Sequence, residues 1–92
     1  KSAIQGLTRS LAREVGGRGV RVNSIAPGWI LTERQVSRAK AIYADKFDDY
    51  LGKQCLKEFL LPPDVARMAL FLTADDSRMI TGQTFVVDGG VV

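Results

Sequence analysis

Few side chains in this sequence could do chemistry, and their types narrow the possibilities at once. There is no histidine and only one cysteine, Cys55, so no usual zinc constellation can be assembled. A lone thiol also excludes an internal disulfide framework and fits a reducing compartment. Nothing beside Cys55 would activate a thiolate, so it is expected to be buried rather than reactive. What remains is an ammonium, two phenols, an amide and a turn. Lys1 heads the stretch KSAIQGLTRS, where a helix is expected to start. A cation at the positive end of a helix is disfavoured by ~0.3–1 kcal/mol, so Lys1 either reflects where the chain begins or is placed there for chemistry. Asn23 is a structural amide or a catalytic one. The stretch APGWILT at 26–32 reads equally as a strand-to-helix turn, with Thr32 capping a helix before Glu33, or as a turn that meets a ligand.

The elements that must position these groups follow from periodicity. Ile4, Leu7, Leu11 and Val15 recur at helical spacing, with Arg9, Arg13 and Glu14 on other faces. This predicts an amphipathic helix over 2–15, ended by Gly16 and Gly17. Val20, Val22 and Ile25 then form a short β-branched run closed by Pro27-Gly28, a strand and a turn. Residues 33–60 are charged and helical in character, with Ala39, Ile42, Tyr43, Phe47, Tyr50 and Leu51 as anchors. Two short helices with a break near Asp45 or Lys46 are expected there. Pro62 and Pro63 suit the first turn of a further helix, where a missing N–H is harmless, and Asp64 places a carboxylate near its positive end. VARMALFL at 65–72 continues that helix, TFVV at 84–87 is a second strand, and Asp88-Gly89-Gly90 is a sharp turn.

The order is helix, strand, helical excursion, strand. Two apolar strands joined through helices make a right-handed crossover in a parallel sheet. Parallel sheets are covered on both faces, and two strands do not complete one, so this reads as one end of a larger α/β domain. The absence of an initial methionine points the same way. With 92 residues, 46% hydrophobic and 25% charged, the composition is that of an ordinary globular chain of one domain at most. The formal charge of +3 is spread among interleaved acids, which argues against a nucleic-acid surface. The longest apolar runs, such as MALFL at 68–72, are too short to span a bilayer.

Three stretches, KSAIQGLTRSLARE, GVRVNSIAPGWILT and PPDVARMALFLTADDSRMITGQTFVVDGG, together resemble the C-terminal part of the short-chain dehydrogenases/reductases. The motifs stand in the family's order and spacing over nearly the whole chain. The resemblance implies an α/β fold: the C-terminal part of a Rossmann-like doubly wound parallel sheet, contributing two strands plus helices. Residues 1–92 would be the C-terminal portion, roughly the last third, of a single NAD(P)-binding domain.

The resemblance implies that Lys1 is the lysine of the family's Tyr-x-x-x-Lys motif, both catalytic and cofactor-binding. There it holds the nicotinamide-ribose hydroxyls and lowers the pKa of the tyrosine. A cation about 4 Å from a phenol is worth up to ~4 kcal/mol at an effective dielectric of 20. That is enough to bring a phenol of pKa about 10 toward working pH, at ~1.4 kcal/mol per unit. The tyrosine would stand one helical turn before Lys1, and neither Tyr43 nor Tyr50 has the spacing to replace it. Pro27 and Gly28 would turn the chain under the nicotinamide, the Ile30 backbone would hold its carboxamide, and the Thr32 hydroxyl would meet the carboxamide or the pyrophosphate. Asn23 would be structural, since the family's catalytic asparagine lies upstream. The excursion at about 33–60 corresponds to the family's variable substrate lid, with Trp29 at its mouth either stacking on a substrate or anchoring the lid.

The implied activity is hydride transfer between NAD or NADP and a secondary alcohol or carbonyl compound in a cytoplasmic homotetramer or homodimer, with no nucleic acid or membrane partner. Within the family, APGWILTERQ and QCLKEFLLPPDVARM look most like bacterial sugar dehydrogenases that oxidise an aldose to its lactone. A 3-oxoacyl-(acyl-carrier-protein) reductase is the alternative, and a catalytically incomplete piece with a structural or assembly role is a third. Residues that choose NAD over NADP follow an early strand that this sequence does not contain.

Overall fold

The structure, a computed structural model, describes residues 2–32, 34, 37–38 and 44–92. The first helix, α1, spans Ser2–Val15. A 3-10 turn at Gly16–Arg18 ends on Gly19, whose φ of 77° lies in the left-handed region that glycine enters without penalty. Strand β1 is Ser24–Pro27, helix α2 is Ala44–Gly52, helix α3 is Pro62–Thr73, and strand β2 is Thr84–Val87.

The two strands pair in parallel, with Ser24 opposite Thr84 and Pro27 opposite Val87. The Ser24 and Thr84 hydroxyls share a 2.7 Å hydrogen bond. The expected α/β arrangement is therefore present, with both carboxyl strand ends on one edge.

Three expectations need adjusting. The first strand is shorter than its β-branched run implied, because Arg21 to Asn23 make crossing hydrogen bonds instead of ladder bonds. Val22 donates its N–H to Thr81 Oγ1 at 3.0 Å, and Gly82 donates to Val22 O at 2.7 Å. The Asn23 amide donates to Ile80 O at 2.9 Å and accepts from Gln83 N–H at 3.1 Å, so it is a structural amide. Helix α2 runs through Asp45 and Lys46, where a break was expected. Cys55 is exposed rather than buried: its N–H is tied to Gly90 O at 2.8 Å, which fixes its segment against the 88–91 turn at the surface.

Helix α3 starts as the sequence implied. Leu61 N–H donates to Asp64 Oδ2 at 2.8 Å, and Asp64 N–H returns to Leu61 O at 2.9 Å. Two prolines occupy the positions whose N–H groups would have no partner. Helix α3 packs against both strands, and Arg21, just before β1, adds a long-range tie by donating to Leu72 O at 2.8 Å and Ile80 O at 3.1 Å. Helix α1 is helical as its periodicity demands, yet Ile4, Leu7 and Leu11 are exposed and its inward side holds Thr8 and Ala12. No described helix is long and apolar enough to cross a membrane.

Candidate functional site

The carboxyl ends of β1 and β2 lead into two loops, 28–32 and 88–91, which lie side by side. In open α/β sheets this is the edge beyond which ligands bind. Gly28 N–H continues the pairing by donating to Val87 O at 2.9 Å. A Cβ built on Gly28 would stand 2.8 Å from Asp88 Cβ, 3.1 Å from Asp88 Cα and 3.1 Å from the Tyr50 hydroxyl. Glycine is thus required here by protein neighbours, which fill the space beside it.

The next residue, Trp29, donates its backbone N–H to Tyr50 Oη at 2.9 Å. The two rings meet edge to face, with centroids 5.1 Å apart and planes at 81°, a favoured aromatic geometry. Trp29 is thereby an anchor for α2, although its indole stays 42% exposed.

Ile30 then forms a parallel bridge with Leu60, made by Leu31 N–H donating to Leu60 O at 3.0 Å. In a parallel bridge the straddled residue turns its own N–H and C=O away from the partner strand. Ile30 is that residue. Among the described residues neither its N–H nor its C=O has a protein partner, while the flanking Leu31 and Leu60 are buried at 5% and 6% exposure. Half-buried Ile30 therefore presents one donor and one acceptor, held in place on both sides by apolar packing. Pro27 and Thr32, at the two ends of the loop, are exposed.

The second loop is organised by Asp88, whose Oδ1 accepts from Gly90 N–H at 2.8 Å and Val91 N–H at 3.2 Å. Its carbonyls hold the segment after α2: Cys55 N–H donates to Gly90 O and Leu56 N–H to Gly89 O, each at 2.8 Å. Gln54, only 2% exposed, forms an antiparallel bridge with Val91. Its side-chain amide donates to Leu56 O at 2.5 Å and Glu58 O at 2.6 Å. Both partners are carbonyls, which fixes the orientation of that amide. Lys57 caps the end of α2, donating to the Leu51, Gly52 and Gln54 carbonyls.

The structure places Pro27 at the end of β1 and Gly28, Trp29, Ile30 and Thr32 in the loop that follows it. Lys1 lies outside the described residues, as do Tyr43 and part of the 33–60 excursion. Sequence reasoning named Tyr50 only as an apolar anchor of the excursion and passed over Leu60. Tyr50 was set aside because its spacing excludes it from a tyrosine–lysine pair, and no periodicity brings it to Trp29, 21 positions earlier. Leu60 carried no signal beyond being apolar.

A family model described as enoyl-(acyl carrier protein) reductase matches residues 1–92. A probable galactose dehydrogenase of Rhizobium meliloti is 42% identical over 91 residues, covering 99% of this chain and 35% of that protein. A 3-oxoacyl-(acyl-carrier-protein) reductase of Thermotoga maritima is 37% identical over 95 residues, covering 100% of this chain and 36% of that protein. Among solved structures, 4-hydroxyisoleucine dehydrogenase complexed with NADH superimposes with a TM-score of 0.82 at 36% identity, over 99% of this chain and 35% of that one. The chain spans about a third of the length of these relatives, at 35% and 36%. With its parallel strand pair and strand-end loop, and with the match running through every residue, the chain belongs to the short-chain dehydrogenase/reductase family.

Proposed function

We propose that a protein carrying this chain is an NAD(P)-dependent oxidoreductase that moves a hydride between the nicotinamide cofactor and a secondary alcohol or carbonyl group, oxidising an aldose to its lactone. The observation that supports the cofactor reading is Ile30, whose backbone N–H and C=O face away from Leu60 and have no hydrogen-bond partner among the described residues. A primary carboxamide offers an acceptor and donors, the complement of that pair, and two charge-neutral hydrogen bonds would fix the ring's orientation. Pro27 and Gly28 form the floor of the site, and the Thr32 hydroxyl meets the carboxamide or the pyrophosphate. The bound nicotinamide supplies the two-electron chemistry that no side chain can. The resemblance assigns the Lys1 ammonium to holding the ribose hydroxyls; were a tyrosine to stand four residues before it in the complete protein, the same charge would favour that phenol's ionised form. The chain's own contribution is thus orientation and electrostatics.

The aldose reading rests on the 42% identity to the galactose dehydrogenase. The 37% identity to the 3-oxoacyl-(acyl-carrier-protein) reductase supports a carbonyl-reductase reading of the same site. Both follow the same hydride chemistry in opposite directions. The complete protein should be assayed with NAD and NADP against a panel of aldoses, and with NADH and NADPH against a 3-oxoacyl thioester. Sugar oxidation without thioester reduction is expected. No turnover of any sugar would sink the aldose reading, and thioester reduction would establish the second.

A further inference from the structure

The contacts around the strand-end loop close into a circuit. Gly28 packs on Asp88, the 88–91 turn organised by Asp88 holds Gln54, Cys55 and Leu56, and that segment continues backwards into α2. Helix α2 then returns through Tyr50 to Trp29, the residue after Gly28. In this circuit Tyr50 joins α2 to the loop that carries Ile30 through its side chain, by one hydrogen bond and one ring contact.

The bond uses the Trp29 N–H, and the peptide group that supplies it is attached directly to Gly28. Gly28 is itself pinned by Val87 O and pressed against Asp88. Leu31, on the other side of Ile30, is pinned by Leu60 O. The Gly28–Trp29 peptide is thus held at Tyr50 and the Ile30–Leu31 peptide at Leu60, and the Trp29–Ile30 peptide, which carries the Ile30 N–H, lies between these two fixed groups. The Ile30 N–H and C=O, which have no partner among the described residues, are aimed by both.

We propose that Tyr50 is a positioning residue: its hydroxyl fixes the Trp29 peptide and so sets the direction of the Ile30 N–H and C=O toward a cofactor carboxamide, which couples the seating of α2 to cofactor binding. This rests on the cofactor reading of the loop given above. The helix that bears Tyr50 lies in the excursion, so a displacement of α2 is passed to the Trp29 peptide through this hydroxyl. The indole–phenol contact keeps the two residues together when that hydrogen bond is lost, so the hydroxyl's part can be separated from the ring's.

The test is Tyr50→Phe in the complete protein, which removes the hydroxyl and keeps the ring. Binding of NADH and NADPH is followed by fluorescence, and steady-state kinetics are measured with whichever cofactor binds. Loss of one neutral hydrogen bond should weaken cofactor binding about fivefold, raising the cofactor KM while kcat at saturating cofactor changes less than about twofold. A merely structural role would not distinguish the carboxamide, so the same measurement is made with an acetylpyridine analogue, whose ring carries an acetyl group in place of the amide. There the Tyr50→Phe penalty should shrink, because one of the two bonds that Ile30 aims is already gone. Tyr50→Trp, which keeps an aromatic contact without the hydroxyl, should behave as Tyr50→Phe does. Equal weakening of both cofactors, or unchanged binding, overturns the positioning role while leaving the cofactor reading intact. Failure of the unsubstituted protein to bind either cofactor overturns the reading on which the inference rests.

Discussion

Gly28→Ala tests the packing that shapes the site. The added methyl carbon would lie 2.8 Å from Asp88 Cβ and 3.1 Å from Asp88 Cα, whereas carbon atoms prefer about 3.5–4.0 Å. No rotamer change relieves this, because a Cβ moves only with its backbone. Asp88 cannot yield without disturbing its bonds from Gly90 and Val91, and Gly28 cannot without losing Val87 O. Overpacking of this kind costs about 1–3 kcal/mol, and two braced backbones place Gly28→Ala near 3. In a protein the size of the relatives, each kcal/mol lowers Tm by ~2–4 °C, so a fall of roughly 6–12 °C is expected. Urea denaturation of the complete protein gives the free energy directly. Asp88→Gly removes the opposing Cβ, and although it forfeits the carboxylate's bonds, it should absorb about 1–2 kcal/mol of the Gly28→Ala penalty in the double variant. If Gly28→Ala costs less than about 0.5 kcal/mol, or the two substitutions are additive within that margin, the steric reasoning fails.

Gly89→Ala should be comparably harmful for a different reason. Gly89 has a φ of 70°, and its Cβ would fall on the buried Gln54 amide. A left-handed alanine costs about 1–2 kcal/mol before any contact is lost, so a total of ~2–4 kcal/mol by urea denaturation is expected, with loss of protection at Leu56 N–H in hydrogen exchange. Arg21→Met keeps the apolar stem but strips the Leu72 and Ile80 carbonyls of a charged donor, which should cost about 2–4 kcal/mol at 1.5–3 per charged bond, less what water recovers. Lys57→Met should leave global stability within about 1 kcal/mol while speeding amide exchange in Ala44–Gly52, because an exposed lysine capping helix carbonyls contributes only modestly. The isolated 92 residues should show no nicotinamide-dependent oxidation of any aldose by absorbance at the reduced-cofactor band; measurable turnover would place the catalytic groups within this chain.

Much of the molecule was legible in local pattern. Helix α1, helix α3 with its prolines and Asp64, strand β2 and the strand-end turn follow from periodicity and turn chemistry, which act over a few residues. Local pattern misjudged the length of β1, because Arg21, Val22 and Asn23 are taken out of the ladder by Ile80, Thr81 and Gln83, about 60 positions away. It likewise missed the burial of Gln54 and the exposure of Cys55, which depend on how 54–56 lies over Gly89 and Gly90. The same holds for the exposed apolar stripe of α1, where amphipathic spacing specifies a helix but not what covers it.

For the site, residue types marked a turn at Pro27-Gly28 after a strand, while the roles of Pro27, Gly28, Ile30 and Thr32 came only from the family resemblance. Residue types could not say which of those groups is open to a ligand. The Leu60 bridge and the Tyr50 hydroxyl take up the Leu31 and Trp29 amides and leave the Ile30 pair without a partner among the described residues. The physical reason is that every backbone carries the same donor and acceptor. Sequence is blind to which are spent, and only the tertiary arrangement spends them.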